Sequence, residues 1–264
     1  MENLSVSTDS MFCNPDFTLD NSQQIINFID NLPQNPIYLA HLMKIKDQEE
    51  NKEEAKNDYL NASYSHGIKT EFSKQKEVFD VFIQKAKKLS QDLTFEKAQH
   101  LINLVNLELR RLEVALPIYA KKIEILDILS KEKCLLLKGN TGSGKTTQLP
   151  QYLLEDEKYA SKKIAVAHPL NNAIKSIAER VAEELKDLEI PVHYVDDQSP
   201  IDSVDTRIIF FSHNTMIQEI IRDPNLNEYS VVIVDEAHER LIPTDILIAL
   251  LKGVQERNPE LRVV

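Results

Sequence analysis

Residues 139–147 read Gly-Asn-Thr-Gly-Ser-Gly-Lys-Thr-Thr, and any fold this chain adopts must accommodate that run. It is a full G-x-x-x-x-G-K-[ST] phosphate loop, which works between the end of a strand and the start of a helix. The chain has five glycines, and Gly139, Gly142 and Gly144 all fall here. Backbone freedom is thus concentrated in one turn. The preceding Lys133–Lys138 reads as an apolar strand with Cys134 in the core, and a helix is expected after the loop. Far downstream, the apolar run Val231–Val234 ends in Asp235-Glu236-Ala237-His238, an acidic pair at the end of a buried strand.

Between and beyond these motifs the pattern alternates. Strands are expected at Ile164–Ala167, Val192–Val195, Ile208–Phe211, Val231–Val234 and Leu261–Val264, and helices at Ala173–Leu185, Thr215–Ile221 and Asp245–Val254. Apolar strands separated by helices imply an α/β fold with a parallel sheet covered on both faces. Upstream, Phe72, Val78, Phe79, Phe82, Ile83, Ala86 and Leu89 share one helical face. Leu101, Leu104, Val105, Leu109 and Leu112 share another, with Thr94 as a candidate N-cap and a third helix from Ile118 to Leu129 after Pro117. Residues 1–35, rich in Asn, Ser, Asp and Pro, are expected to be mostly disordered apart from a short helix at Ser22–Ile29. The run Asp47–Glu54 reads as a solvated helix end or linker, and Asp196-Asp197 as a polar turn.

The phosphate loop carries a defined chemistry. Its backbone N–H groups, with those at the start of the following helix, point inward at phosphate oxygens. Gly139, Thr141, Gly142, Ser143, Gly144 and Thr147 form this cradle, Lys145 is placed for the β- and γ-phosphates, and Thr146 offers a hydroxyl to Mg²⁺. Asp235 is placed to hold the same Mg²⁺ through water, and Glu236 beside it, which joins Thr146 and Asp235 in the expected Mg²⁺ site, is the natural general base for an attacking water. The expected ligands are therefore ATP, or another nucleoside triphosphate, and Mg²⁺.

Two longer stretches, Leu135–Leu154 and Tyr229–Leu251, resemble the DEAH-box RNA helicase family, in which Asp-Glu-Ala-His-Glu-Arg and Thr-Gln-Leu-Pro-Gln are characteristic wording. Leu116-Pro117-Ile118-Tyr119-Ala120 is similar to the start of that family's first RecA-like domain. The resemblance covers residues 116–264 and implies a RecA-like P-loop NTPase domain that hydrolyses ATP and remodels RNA, behind a mostly helical, partly disordered extension of residues 1–115. It further implies that His238 couples the site to a second domain and that Arg180, in Ala178-Glu179-Arg180-Val181, stacks on adenine.

Where the family usually reads Gln-Pro-Arg-Arg against RNA, this chain has His168-Pro169-Leu170-Asn171. Where it reads Thr-Asp-Gly-Met-Leu-Leu-Arg-Glu, this chain has Ser212–Glu219, with Ser212 and Glu219 fitting and the glycine and arginine lost. The loop Val195–Asp205 reads as shortened. The sequence stops at Val264, where the family continues into a Ser-Ala-Thr motif and a second RecA-like domain that supplies arginine fingers, so slow hydrolysis is expected of these residues alone.

The net charge of −11, shared by both halves of the chain, is unlike that of a strongly basic nucleic-acid binder, so weak RNA binding is expected. Nothing in the residues separates RNA from DNA. Two readings stand: an ATP-dependent RNA helicase, or an ATP-binding RecA-like module that switches shape or partner without unwinding. The N-terminal helices are a possible protein-docking element. No apolar run is long enough to span a bilayer, no secretory signal opens the chain, and Cys13 and Cys134 read as reduced thiols of a nuclear or cytoplasmic protein. His168, His193 and His213 lack metal-ligand spacing.

Overall fold

Three strands have nearly uninterrupted apolar sequences, which suits burial on both faces and flanking by other strands. They are β1 (Lys163–His168), β3 (Ile208–Ser212) and β4 (Tyr229–Val234). The computed structural model, which describes residues 27–56, 71–90, 95–195 and 205–264, places all three centrally. With β2 (Val192–Val195) and β5 (Arg262–Val263) they form a five-stranded parallel sheet in the order β2-β3-β1-β4-β5. Ile164 lies opposite both Ile208 and Val231, and Ala167 opposite Phe211 and Val234. This register brings the C-terminal ends of β1, β3 and β4 together, where ligands of open α/β sheets bind.

Alternation along each strand divides the core in two. Ile164, Val166, Phe210, Val231 and Ile233 face a cluster that includes side chains of α4 (Lys122–Lys131), α5 (Lys145–Leu154) and α6 (Asn171–Leu185). Ala165, Ala167, Phe211, Val232 and Val234 face α7 (His213–Arg222) and α8 (Ile242–Arg257) on the other side. The first cluster continues into the N-terminal helices α2 (Glu71–Leu89) and α3 (Phe95–Val114), while α1 (Pro36–Lys56) packs on both. Val78, Phe79, Ala86, Leu101, Val105, Leu109 and Leu112 are all buried, so the two apolar stripes are covered largely by the chain itself.

Several expectations need correction. Lys133–Lys138 is not a strand: it makes a single bridge, Cys134 to Val263. There Leu135 N–H donates to Val263 O at 2.9 Å and Val263 N–H donates to Lys133 O at 3.0 Å. Among the described residues its one strand neighbour, β5, is two residues long, so no extended ladder forms there. Leu136 on the open side is 89% exposed, and Cys134 is exposed rather than core. Leu89 also lies outside its expected buried face. Residues 27–31 are helical and Leu32–Gln34 is a 3₁₀ turn, with Ile29 and Leu32 buried against the helices, so this part of 1–35 is not disordered. The third helix begins as a 3₁₀ turn, Pro117–Lys121, before α4. Residues 1–26, Thr94, Asp196-Asp197 and most of the 195–205 loop lie outside the described residues, as do the side chains of Asp47–Glu54.

Candidate nucleotide-binding site

The loop's conformation explains its glycines. Gly142 and Gly144 have φ of +78° and +93°, a region costly for any residue with a Cβ. At Gly144 a Cβ would also stand 2.9 Å from the Leu116 side chain and 3.1 Å from Ile118. Ile118 N–H donates to Ser143 O at 3.2 Å, so Leu116-Pro117-Ile118 buttresses the loop from behind. Gly144 precedes α5, and Lys145 and Thr146 open that helix.

Lys145 Nζ folds back onto the loop, donating to Gly139 O at 2.8 Å and Asn140 O at 3.0 Å. Ser143 Oγ is buried without a hydrogen-bond partner. Lys145 and Ser143 line a cavity of about 300 Å³ with Lys138, Lys121, Lys74 and Glu71, the last two contributed by α2. Four lysines against one carboxylate make the surroundings electropositive.

Asp235 and Glu236 follow β4 directly. Asp235 N–H donates to Ala167 O at 2.8 Å, which fixes the strand end against β1. Its carboxylate reaches the loop helix: Thr146 Oγ1 donates to Asp235 Oδ2, closing a contact between residues 89 apart in sequence. A hydroxyl and a carboxylate meeting at a helix N-terminus form the hard-oxygen donor set that suits Mg²⁺. Glu236 adopts a left-handed backbone, φ +52°, an uncommon state for a residue with a side chain and one concentrated at functional sites. Its carboxylate lies 3.3 Å from His238 Nδ1, and the His238 side chain is itself 78% exposed. Arg180 on α6 is exposed, with Nε donating to Glu184 Oε1 at 3.2 Å.

The chain belongs to the DEAD/DEAH box helicase family. The match to that family spans residues 120–255, just over half of the chain. An Arabidopsis thaliana protein described as ATP-dependent RNA helicase DEAH12, chloroplastic, is 39% identical over 163 residues, covering 61% of this chain and 9% of that protein. A Rattus norvegicus protein described as probable ATP-dependent RNA helicase DHX40 is 41% identical over 145 residues, 54% of this chain and 19% of that one. The crystal structure of the Escherichia coli DEAH/RHA helicase HrpB aligns with a TM-score of 0.51 at 31% identity, covering 56% of this chain and 19% of its own. The chain thus spans less than a fifth of the length of these relatives, within a RecA-like helicase ATP-binding domain.

Within that fold, the residues of the stretches His168–Asn171 and Ser212–Glu219 have identifiable structural roles. Ser212 Oγ caps α7 by accepting from Thr215 N–H at 3.0 Å. Glu219 is buried, accepting from Arg222 at 2.6 and 2.9 Å and from the Tyr229 hydroxyl at 2.9 Å. His168 is also buried, and its Nδ1 accepts from Leu170 N–H at 3.1 Å. His213 Nδ1 lies 2.9 Å from Thr244 Oγ1, tying α7 to α8; burial and the neighbouring His168 hold its pKa below the usual histidine value, against hydrogen bonds that raise it. Leu170 and Asn171 are exposed.

Sequence reasoning missed the amide network behind the loop. Gln148 and Gln151 Nε2 each donate to Glu184 Oε2 at 2.7 Å, and Gln151 also donates to Thr147 O at 2.8 Å. The four-residue spacing of Arg180 and Glu184 on a helix was the available signal.

Proposed function

We propose that these residues form the nucleotide-binding domain of an ATP-dependent RNA helicase of the DEAH-box type, which binds and hydrolyses ATP with Mg²⁺ to remodel RNA. The observation that carries this reading is the Thr146–Asp235 contact, with Glu236 beside it at a strained backbone position. In this reading the loop amides and Lys145 hold the β- and γ-phosphates, Lys145 exchanging its backbone carbonyls for phosphate oxygens. Thr146 and Asp235 hold Mg²⁺, with Glu236 at the edge of the same site. Mg²⁺ held there would supply neutralisation of charge on the phosphoryl oxygens. Glu236 takes a proton from the attacking water as its oxygen bonds to the γ-phosphorus and the bond to the β-phosphate oxygen breaks. His238, within 3.3 Å of that carboxylate, holds its orientation and links it to whatever domain closes over the site.

A second reading, an ATP-binding module that does not unwind, is favoured by the exposed Leu170 and Asn171 where phosphate-gripping arginines are expected. Turnover assays on the protein purified from its own cells separate the two. Phosphate release from ATP that requires Mg²⁺ and rises with single-stranded RNA supports the helicase. ATP binding without RNA-stimulated turnover supports the module. The action is assigned to the nucleus or cytoplasm on the sequence reading of reduced thiols; among the described residues no helix is long and apolar enough to cross a membrane.

A further inference from the structure

One wall of the cavity at the phosphate loop comes from far upstream in the chain. Glu71 and Lys74, in the first turn of α2, line it together with Lys121, Lys138, Ser143 and Lys145. Lys74 lies outside the family-matched segment, residues 120–255.

A short series of contacts holds this end of α2 to the loop. Gln75, next to Lys74, is fully buried, and its Nε2 donates to Ala115 O at 3.1 Å and Leu116 O at 3.2 Å. Those carbonyls sit at a bend, where Ala115 has a φ of +54°. Leu116 abuts Gly144, and Ile118 N–H donates to Ser143 O at 3.2 Å. Lys74 is thus one residue from a pin that connects to the back of the loop.

The charges lining the cavity are not matched from within it. Lys145 is engaged by the carbonyls of Gly139 and Asn140, and Lys121 pairs with Glu124 at 2.5 Å. Among the described residues Lys74 and Lys138 have no ion-pair partner, and Glu71 is the one carboxylate in the lining. Ser143 Oγ, buried at the same wall, lacks a hydrogen-bond partner. Apart from Gly139 the rest of the lining is apolar, which weakens solvent screening of these charges. Ammonium groups without partners, a loop lysine that can exchange its carbonyls and an orphaned hydroxyl are donors in search of anionic oxygens.

We propose that Lys74 of α2 is a phosphate-binding residue of the nucleotide site, with Gln75 as its positioning residue. Its ammonium donates to an oxygen of the terminal phosphates that Lys145 takes up. This rests on the nucleotide reading above and carries the site into the N-terminal helices. It also links the docking of α2 to ligand, since a ligand held by α2 stabilises the docked helix.

The test compares Lys74→Gln with Lys88→Gln, titrated calorimetrically with ATP and with inorganic triphosphate in the presence of Mg²⁺. Lys88 is exposed at the other end of α2, about 21 Å along the helix axis. That is well beyond the ~8–10 Å over which charges act at ordinary ionic strength, so Lys88→Gln removes the same charge without reaching the cavity. Lys74→Gln weakens both ligands by about three- to tenfold, because both carry the phosphates, while Lys88→Gln leaves both unchanged. Affinities of Lys74→Gln equal to those of the unaltered chain, or equal losses in the two variants, overturn the proposal. Amine acetylation of the unaltered chain, read by mass spectrometry, is a second measurement. Triphosphate protects Lys74 and not Lys88 if the contact forms, and undiminished labelling of Lys74 overturns it. Lys145→Ala separates the two levels of the argument. If it binds triphosphate as well as the unaltered chain does, the phosphate-loop reading fails and the Lys74 contact with it. A loss in Lys145→Ala with none in Lys74→Gln removes the Lys74 contact alone.

Discussion

Replacing Glu108 with Gln tests whether the buried ion cluster holds the N-terminal helices to the nucleotide-binding domain. Two cations, Arg111 and Lys122, share two carboxylates, Glu108 and Glu155. Burial alone would raise the Glu108 carboxyl, but Lys122 and Arg111 outweigh it and bring it from the ordinary 4.5 to about 2. That drop corresponds to about 3 kcal/mol favouring the ionised, folded form. It agrees with the ~3–5 kcal/mol lost when one member of a buried pair is removed. With a urea slope of ~2–3 kcal/mol per molar, the denaturation midpoint should fall by about 1 M or somewhat more. Far-UV circular dichroism can follow this in a chain without tryptophan. The pH dependence has a definite sign. A depressed carboxyl contributes fully above 4.5, and the contribution is lost as pH falls through about 2. The gap between parent and Glu108→Gln should therefore be constant from neutral pH down to about pH 5 and close below it. A variant within ~1 kcal/mol of the parent at pH 7, or a gap that widens in acid, would refute the reasoning.

Two further outcomes are expected. Glu236→Gln should lower ATP turnover by ~10²–10⁴-fold while ADP affinity stays within about threefold; an equal loss in binding would make Glu236 structural rather than a base. RNA binding by the 264-residue chain should be weak and shallow in its salt dependence, checked by fluorescence anisotropy across a salt series. A steep slope would reveal a set of phosphate contacts outside the altered motifs.

The central strands and helices were legible because periodicity reports burial, and β1, β3 and β4 are buried along nearly their whole length. Lys133–Lys138 misled because its composition matches a strand, while strand formation depends on neighbours, and among the described residues only the short β5 is one. At the candidate site, the structure brings together Thr146 and Asp235, which the sequence places in two separate motifs. The surroundings were less legible. Glu108 lies on the stripe of Leu101, Val105 and Leu112 at helical spacing, and a carboxylate on a buried face calls for a partner. The partners, Arg111, Lys122 and Tyr119, could not be paired from spacing alone because packing brings together three separate elements.

The central claim is that Gly139–Thr147 and Asp235 together hold the phosphates of a nucleotide and its metal. Its most direct test is calorimetric titration of Mg²⁺-ATP into the 264-residue chain and into Lys145→Ala. Saturable one-to-one binding that depends on Mg²⁺ and is abolished by the substitution is the expected result. No binding by the parent chain, or micromolar binding retained by Lys145→Ala, would contradict it.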